Sequence, residues 1–587
     1  MKQHSDALKH EIITNIRNLI EQKYTKKHQS LLKKFAQDFF GNVSIEDLSK
    51  KNTIDLYASL VTNWHFIHNY ASKKAKVRVY NPQMEEHGWQ SSHTIIEILS
   101  ADMPFLVDSV RQGLNELDVT NHLMIFPDFF IVTRDKEGNL INFNSEECTD
   151  KEKNNDKNLI YSKESIIYVE INKQTDKEKL SFLQKHIKNI LDDVSIAVKD
   201  WSKMQKKAKE LIHILGETDY KDPKEISEAQ DFLKWMLDDK FTFIGCCDYK
   251  YTAGKNDGDR GSLDFIKNTG LGFLSNKSRY TKEDCFKGLP RDGGKIRQDE
   301  RLIVINKSSL KSTVHRPVDL DFIAVKLYDD KLNLSGTRIF LGLYTSVAYN
   351  SRAETIPYLR HKISSVLKLS KLENNNHSLK ELINILETYP REELFQASAD
   401  ELYNISTGIL DIQERPMIKL FLRKDSFNRF ISALVFVPRE KYTTRYRKII
   451  ESILLKTLNG ESVSFSTRFS ESILARIHII IKLKDYHIEP EYDQNLLEQK
   501  IIDAGRTWDD NLKDALLDYY GEEKGLELLC NYRESFPAGY CDMYSAWTAV
   551  YDVEHLGKLS KDNPLEVSFY RPLEEIEGHL RFKLFRK

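Results

Sequence analysis

Cysteine is scarce in this 587-residue chain, and its six cysteines are scattered apart from the neighbours Cys246 and Cys247. That argues against a disulfide framework and makes a reducing, cytoplasmic compartment the expectation. Long apolar runs are missing too. No window approaches the roughly 20 apolar residues that span a bilayer, and the opening MKQHSDALKHEIITNIRNLIEQKY has no continuous apolar core of signal-peptide length. No membrane partner is expected. Neither sign of charge prevails, with 87 Lys and Arg against 88 Asp and Glu, so a nucleic-acid partner is not expected either. Basic clusters such as Lys203–Lys209 read as one solvated helix face. The glycines never form G-x-G-x-x-G, the strand-to-helix turn that lets a pyrophosphate approach backbone. The nearest pair, Gly270-Leu271-Gly272, runs on into Phe273 and Leu274 in a strand-and-loop context. No dinucleotide cofactor is expected in this chain.

What is present is ample apolar material, 40% of residues, beside 30% charged. That suits roughly three to five compact units rather than a disordered chain. Residues 1–75 read as helices, with Leu8, Ile12, Ile16, Leu19 and Ile20 at helical spacing. Residues 76–205 change period. The strand HTIIEIL, the break Asp102-Met103-Pro104, a helix marked by Val107, Val110, Leu114 and Leu117, then HLMIFPDFFIVTR, the turn DKEGN, LINFN and SIIYVEI lead into a helix with Leu180, Leu183, Ile187, Ile190, Leu191 and Val194 on one face. The order β-α-β-β-β-α predicts an α+β unit: an antiparallel sheet with helices on one side. A second unit, 222–352, opens at Asp222-Pro223 and carries FTFIGCCDY, RLIVIN, DFIAVKLYD and TRIFLGLYTS. A helical connector over 353–410 precedes a third unit, 411–500, with PMIKLFLRKD, FISALVFVPR, VSFSTRF and LARIHIIIKL as strands. Residues 501–565 are predicted helical. The last segment, 566–587, ends in EGHLRFKLFRK, read as a strand without a partner and so as the start of a further domain.

Few residues suggest chemistry. His65 and His68 share a helix face, but without an acidic or cysteine ligand nearby they read as packing beside Trp64 and Phe66, not as a metal site. Cys246 and Cys247 point to opposite faces of a strand and read as core thiols. The loop Asp292-Gly293-Gly294-Lys295 has no apolar sequence around its lysine to lower the pKa, and reads as a turn. His315-Arg316-Pro317-Val318-Asp319-Leu320-Asp321 holds acid–base groups but reads as the lead-in to a strand, with Arg316 and Asp319 paired on one face or holding a neighbouring domain. Neither a catalytic residue nor a metal ligand is assigned. One junction stands out. Asp102, Met103, Pro104, Phe105 and Asp108 lie where a strand turns into a helix, whose first amides lack internal partners. Those amides can take a ligand carboxylate while Asp102 meets an amino group; alternatively Asp102 simply caps the helix.

Several blocks in order resemble the amino-terminal region of the very large bacterial NAD-dependent glutamate dehydrogenases. They are ADMPFLVDSVRQGLNEL (101–117), DFLKWMLDDKFTFIG (231–245), RPVDLDFIAVK (316–326), GLYTSVAY (342–349), ILETYPREELFQ (385–396), VFVPREKYTTRYR (435–447) and SFPAGY (535–540). The resemblance implies an ACT-like domain at 76–205, a PAS-like domain at 222–352, a second ACT-like domain at 411–500 and the start of a truncated third at 566–587. It also implies a regulatory and oligomerisation role, and an amino-acid effector at the Asp102–Asp108 junction. Expected partners are the catalytic part of the same enzyme, which would hold the NAD, and further copies in a homo-oligomer. By itself the chain is expected to be inactive. The alternative is a free-standing amino-acid sensor built from ACT-like domains.

Overall fold

Strand β2 (His93–Ala101) is buried along nearly its whole length, so both faces of its sheet must be covered. The computed structural model describes residues 2–72, 74–127, 129–144, 159–218, 222–253, 262–280, 301–372, 377–485, 488, 491–570 and 581–586. The chain forms two units, Met1–Ser365 with Arg391–Gln396, and Val366–Pro390 with Ala397–Lys587. The fold is α+β throughout, built on antiparallel sheets. The loop Asp292–Lys295 lies outside the described residues.

In the first unit, β1 (Lys76–Tyr80), β2, β6 (Ile160–Asn172), β4 (Phe130–Arg134) and β5 (Leu140–Asn144) lie side by side in that order, and β3 (Asn121–Ile125) pairs with β6. The predicted strands and the β4–β5 hairpin are present, but the run HLMIFPDFFIVTR divides into β3 and β4, and β1 precedes the first predicted strand. The expectation of helices on one side needs correction. Helices α1 (Lys2–Lys23), α2 (Lys26–Gly41) and α3 (Thr53–His68) bury Phe35, Phe39 and Trp64 against Phe130, Phe143 and Tyr168 of the sheet. The amino-terminal helices are thus the lid of the first sheet; their apolar faces find no partner elsewhere in sequence.

Helix α4 (Leu106–Asn115) packs on the 41-residue α5 (Lys177–Glu217) at Gly113, where a Cβ would come within 2.2 Å of Ile190 Cδ1. Helix α5 runs on through Lys203–Lys209 without a break, so a boundary at 205 falls inside it. It contacts both β1 and β7 (Phe241–Thr252), and so ties the first sheet to the second. After α6 (Pro223–Trp235), opened by Asp222 and Pro223 as expected, the second sheet has the order β10-β11-β12-β7-β8. Its strands are β7 (Phe241–Thr252), β8 (Ser262–Phe265), β10 (Ile303–Lys311), β11 (Asp319–Tyr328) and β12 (Leu334–Tyr344), with the short β9 (Leu271–Gly272) beside β7.

The other unit holds α7 (His377–Thr388), α8 (Ala399–Ile412) and a four-stranded sheet. Its order is β13 (Lys419–Lys424), β14 (Phe430–Pro438), β16 (Leu474–Leu483) and β15 (Gly460–Phe469), with α9 (Thr444–Thr457) and α10 (Gln494–Ala504) packed on one face. Helices α11 (Trp508–Tyr520), α12 (Glu522–Tyr532) and α13 (Ala546–Gly557) follow. The terminal strand is not without a partner: β18 (Arg581–Arg586) pairs antiparallel with β17 (Leu565–Tyr570). The backbone of LEVSFY supplies the donors and acceptors that RFKLFR needs. One face of this ribbon lies on α13 through Lys583–Asp552 (2.5 Å) and the stacked rings of Phe585 and His555. The other leaves Val567, Phe569, Phe582 and Leu584 exposed.

Candidate functional site at the first strand-to-helix junction

The chain leaves β2 at Ala101 and enters α4 at Leu106 through Asp102-Met103-Pro104-Phe105. Asp102 does not cap the helix. Its amide donates to the Lys163 carbonyl (2.9 Å) and its Oδ1 accepts from Ser165 Oγ (2.6 Å), both on β6. The N-cap position falls to Phe105, at φ +70°, with no side-chain cap bond. A left-handed phenylalanine is costly, on the order of 1–3 kcal/mol, and the first-turn amides of α4 keep no side-chain acceptor.

A second left-handed residue faces it. His315 sits at φ +67°, with its ring centroid 5.1 Å from that of Phe105. Its amide donates to Ser109 Oγ (3.0 Å), its Nδ1 lies 3.4 Å from Asp108 Oδ2, and nearby Gln112 Nε2 donates to the Ser312 carbonyl (3.4 Å). The loop is anchored from behind by Asp193 of α5, a buried carboxylate that accepts from Arg279 (2.7 Å), the Tyr280 hydroxyl (2.9 Å) and Thr313 Oγ1 (2.7 Å). Phe105 and Asp108 are therefore brought together with His315. Asp102 is tethered to β6, Met103 is half-buried and Pro104 exposed. His315 was visible in the sequence as part of an acid–base cluster, but its partner across about 200 residues was not.

The other members of that cluster separate. Arg316 reaches the Tyr344 carbonyl and lies over the Tyr349 ring. Asp321 is buried against Lys307 Nζ (2.8 Å), which also meets Glu392 (2.8 Å), and Glu392 accepts from the Tyr349 hydroxyl (2.7 Å). Burial raises the Asp321 pKa. Burial works the other way on Lys307, but Asp321 and Glu392 hold its ammonium above the usual range. Lys307 and Glu392 carry no sequence signal of their own, since the contact is made between a strand and a distant helix.

Elsewhere in the first unit, Glu97 of β2 is buried beside Arg78 (2.5 Å), and burial lifts its pKa to about 7. His65 and His68 are exposed while Trp64 and Phe66 are buried, and both Cys246 and Cys247 are buried. No group of three metal-binding side chains occurs among the described residues. The Gly270–Gly272 segment does not fit a dinucleotide: the Gly272 amide already donates to Asp200 Oδ2 (3.1 Å), and a Cβ there would lie 2.0 Å from the Ile244 carbonyl oxygen. Its glycine serves close packing of β9 on β7. No helix among the described residues is long and apolar enough to cross a membrane.

Comparison with known proteins agrees with this architecture. Residues 35–187 match the glutamate dehydrogenase ACT1 domain, 356–415 its helical motif 1, 419–509 its ACT2 domain and 515–559 its helical motif 2. The ACT1 match begins within α2, consistent with helices that share that sheet's core. The NAD-specific glutamate dehydrogenase of Halomonas elongata is 36% identical over 98% of this chain and 35% of its own length. That of Pseudomonas aeruginosa is 34% identical over 94% and 33%, and that of Mycobacterium tuberculosis 23% over 80% and 28%. A solved structure of PelD 156-455 from Pseudomonas aeruginosa PA14 covers 56% of this chain and 86% of that one, at 11% identity and a TM-score of 0.12, and nothing about the fold follows from it. The chain spans about a third of the length of the curated relatives it matches. It belongs to the large NAD-specific glutamate dehydrogenases, as a region that carries their ACT domains and helical motifs.

Proposed function

We propose that this chain is the regulatory and assembly region of an NAD-dependent glutamate dehydrogenase. In the complete protein it supports oxidative deamination of L-glutamate to 2-oxoglutarate and ammonia with reduction of NAD, working with the catalytic part of the same enzyme in a homo-oligomer. The observation that carries this reading is the pair of ACT units matched in family order. The second sheet supports a PAS-like domain between them: numbered along the chain without the short β9, its strands lie in the order 2-1-5-4-3. The exposed apolar face of the β17–β18 ribbon fits a surface that another domain covers.

An amino-acid effector binds at the first junction in this reading. Its carboxylate meets the uncapped amides after Phe105, and Asp102 receives its ammonium. Calorimetric titration of the chain with a panel of amino acids tests it. Asp102→Asn removes the charge and should weaken binding by roughly 1.5–3 kcal/mol. Absence of binding by any amino acid at millimolar concentration removes the effector site. Glutamate-dependent NADH formation by this chain alone would overturn the non-catalytic assignment.

A further inference from the structure

In the second unit, two arginines face each other across β15 and β16, where Arg468 is the direct register partner of Arg476. Like charges placed opposite on a sheet repel. Both donate to one group, the Thr388 carbonyl at the C-terminus of α7, at 3.2 Å from Arg468 and 2.8 Å from Arg476. That carbonyl carries only part of a negative charge. Among the described residues neither guanidinium lies in an ion pair within 4.0 Å. Burial and then Arg468 push the Arg476 pKa down to about 10, a cost that a counter-anion would remove.

The pair lines a cleft of about 630 Å³ between α7, the end of α8 and the β15–β16 turn. Ile385, Ile412 and Phe436 give it apolar wall. Gln413 adds an acceptor: its Nε2 donates to Glu381 (2.6 Å), which leaves a buried Oε1 with no hydrogen-bond partner. A cleft of this size, with apolar walls and a few convergent polar groups, suits a small molecule. We propose that it binds a small organic anion, whose carboxylate or phosphate sits on Arg468 and Arg476 and whose hydroxyl or amino group donates to Gln413 and Glu381. This site lies in the second unit and is separate from the junction at Asp102, so either can fail without the other.

The test is calorimetric titration of the full chain in low-chloride buffer with two probes, L-malate and glycerol 3-phosphate, and with glycerol as the neutral control. At least one anionic probe is expected to bind at millimolar concentration or tighter, and glycerol not at all. Arg476→Met and Arg468→Gln are each expected to weaken binding by about tenfold or more through loss of a charge-assisted contact. Without ligand, neither variant should melt below the unmodified chain, because each relieves a like-charge pair. Should Arg476→Met fail to fold, the exposed Arg468→Gln decides. Binding by neither probe, or equal binding to the folded variants and the unmodified chain, overturns the proposal.

Discussion

The two ACT units run through the same elements: an edge strand, a central strand, a helix, a return stretch, a second central strand and a second helix. In the first these are β1-β2-α4-(β3–β5)-β6-α5, in the second β13-β14-α9-β15-β16-α10. They close the strand-to-helix junction in opposite ways. At α9 the Thr443 side chain accepts from the Tyr446 amide, an ordinary self-contained cap. At α4 there is no side-chain cap, a phenylalanine holds the left-handed N-cap position, and a loop of the neighbouring domain, carried by His315, comes down beside it. The sheets differ in the same sense. Edge strand β1 buries Val77, Val79 and Tyr80, whereas edge strand β15 leaves Phe465 and Phe469 exposed, with Arg447 and Arg439 lying over the two rings. One topology thus yields a junction completed by other domains and a junction complete in itself.

The sharpest way to break this contrast is at Asp193, which anchors the loop against the first junction. Asp193→Ala strands Arg279 and the Tyr280 hydroxyl. It should lower the stability of the first unit by about 3 kcal/mol, at the low end for a broken buried pair because Arg279 can turn to water. Chemical denaturation read by tryptophan fluorescence measures it, and an unchanged midpoint would mean the loop is held by other contacts.

A smaller effect of opposite sign is expected at Glu97. Its folded pKa of about 7 lies above the ordinary value of 4.5, so the folded state binds the extra proton. The stability this gives is complete below about pH 4.5 and is lost as pH rises towards 7. Glu97→Gln should therefore flatten the fall in melting temperature across that window. At pH 8 it should stabilise the chain by roughly 2 kcal/mol, less than the full shift because Arg78 loses its partner. A variant with the same pH profile as the unmodified chain would assign the titration to another group.

The smallest effects test the caps. Thr443→Ala should cost about 1 kcal/mol, and Asp102→Asn should stay within about 0.5 kcal/mol because Asp102 caps nothing. Calorimetric melts of both variants decide it; a loss at Asp102 equal to that at Thr443 would erase the difference between the junctions.

Most elements of both sheets were legible in the sequence, because alternation in HTIIEIL or LARIHIIIKL and the turn chemistry of DKEGN are local signals. The failures were non-local. HLRFKLFRK reads as unpaired until LEVSFY, across the intervening residues 571–580, supplies its partner. Leu180 to Val194 mark a helix face and Lys203–Lys209 reads as helical too, but the boundary at 205 cuts what is one helix to Glu217, packed against both β1 and β7. At the candidate site the strand, break and helix were readable from Asp102-Met103-Pro104. Which residue takes the N-cap was not, because Ser165 competes for Asp102 from another strand.

By itself, the sequence determined an α+β chain with antiparallel sheets, and its resemblance to the large glutamate dehydrogenases implied the ACT type: periodicity sets the elements, their order limits the topology, and the scarcity of patterned glycine and of cysteine argues against dinucleotide and disulfide readings. Tertiary structure alone decided which groups meet. His315 reaches Ser109 across the first unit, Lys307 finds Asp321 and Glu392, and Arg468 and Arg476 confront each other with no ion pair to either among the described residues. The physical reason is range. Backbone propensity and hydrophobic period act over a few residues, whereas the charge a buried group feels depends on what folding brings within a few ångströms of it.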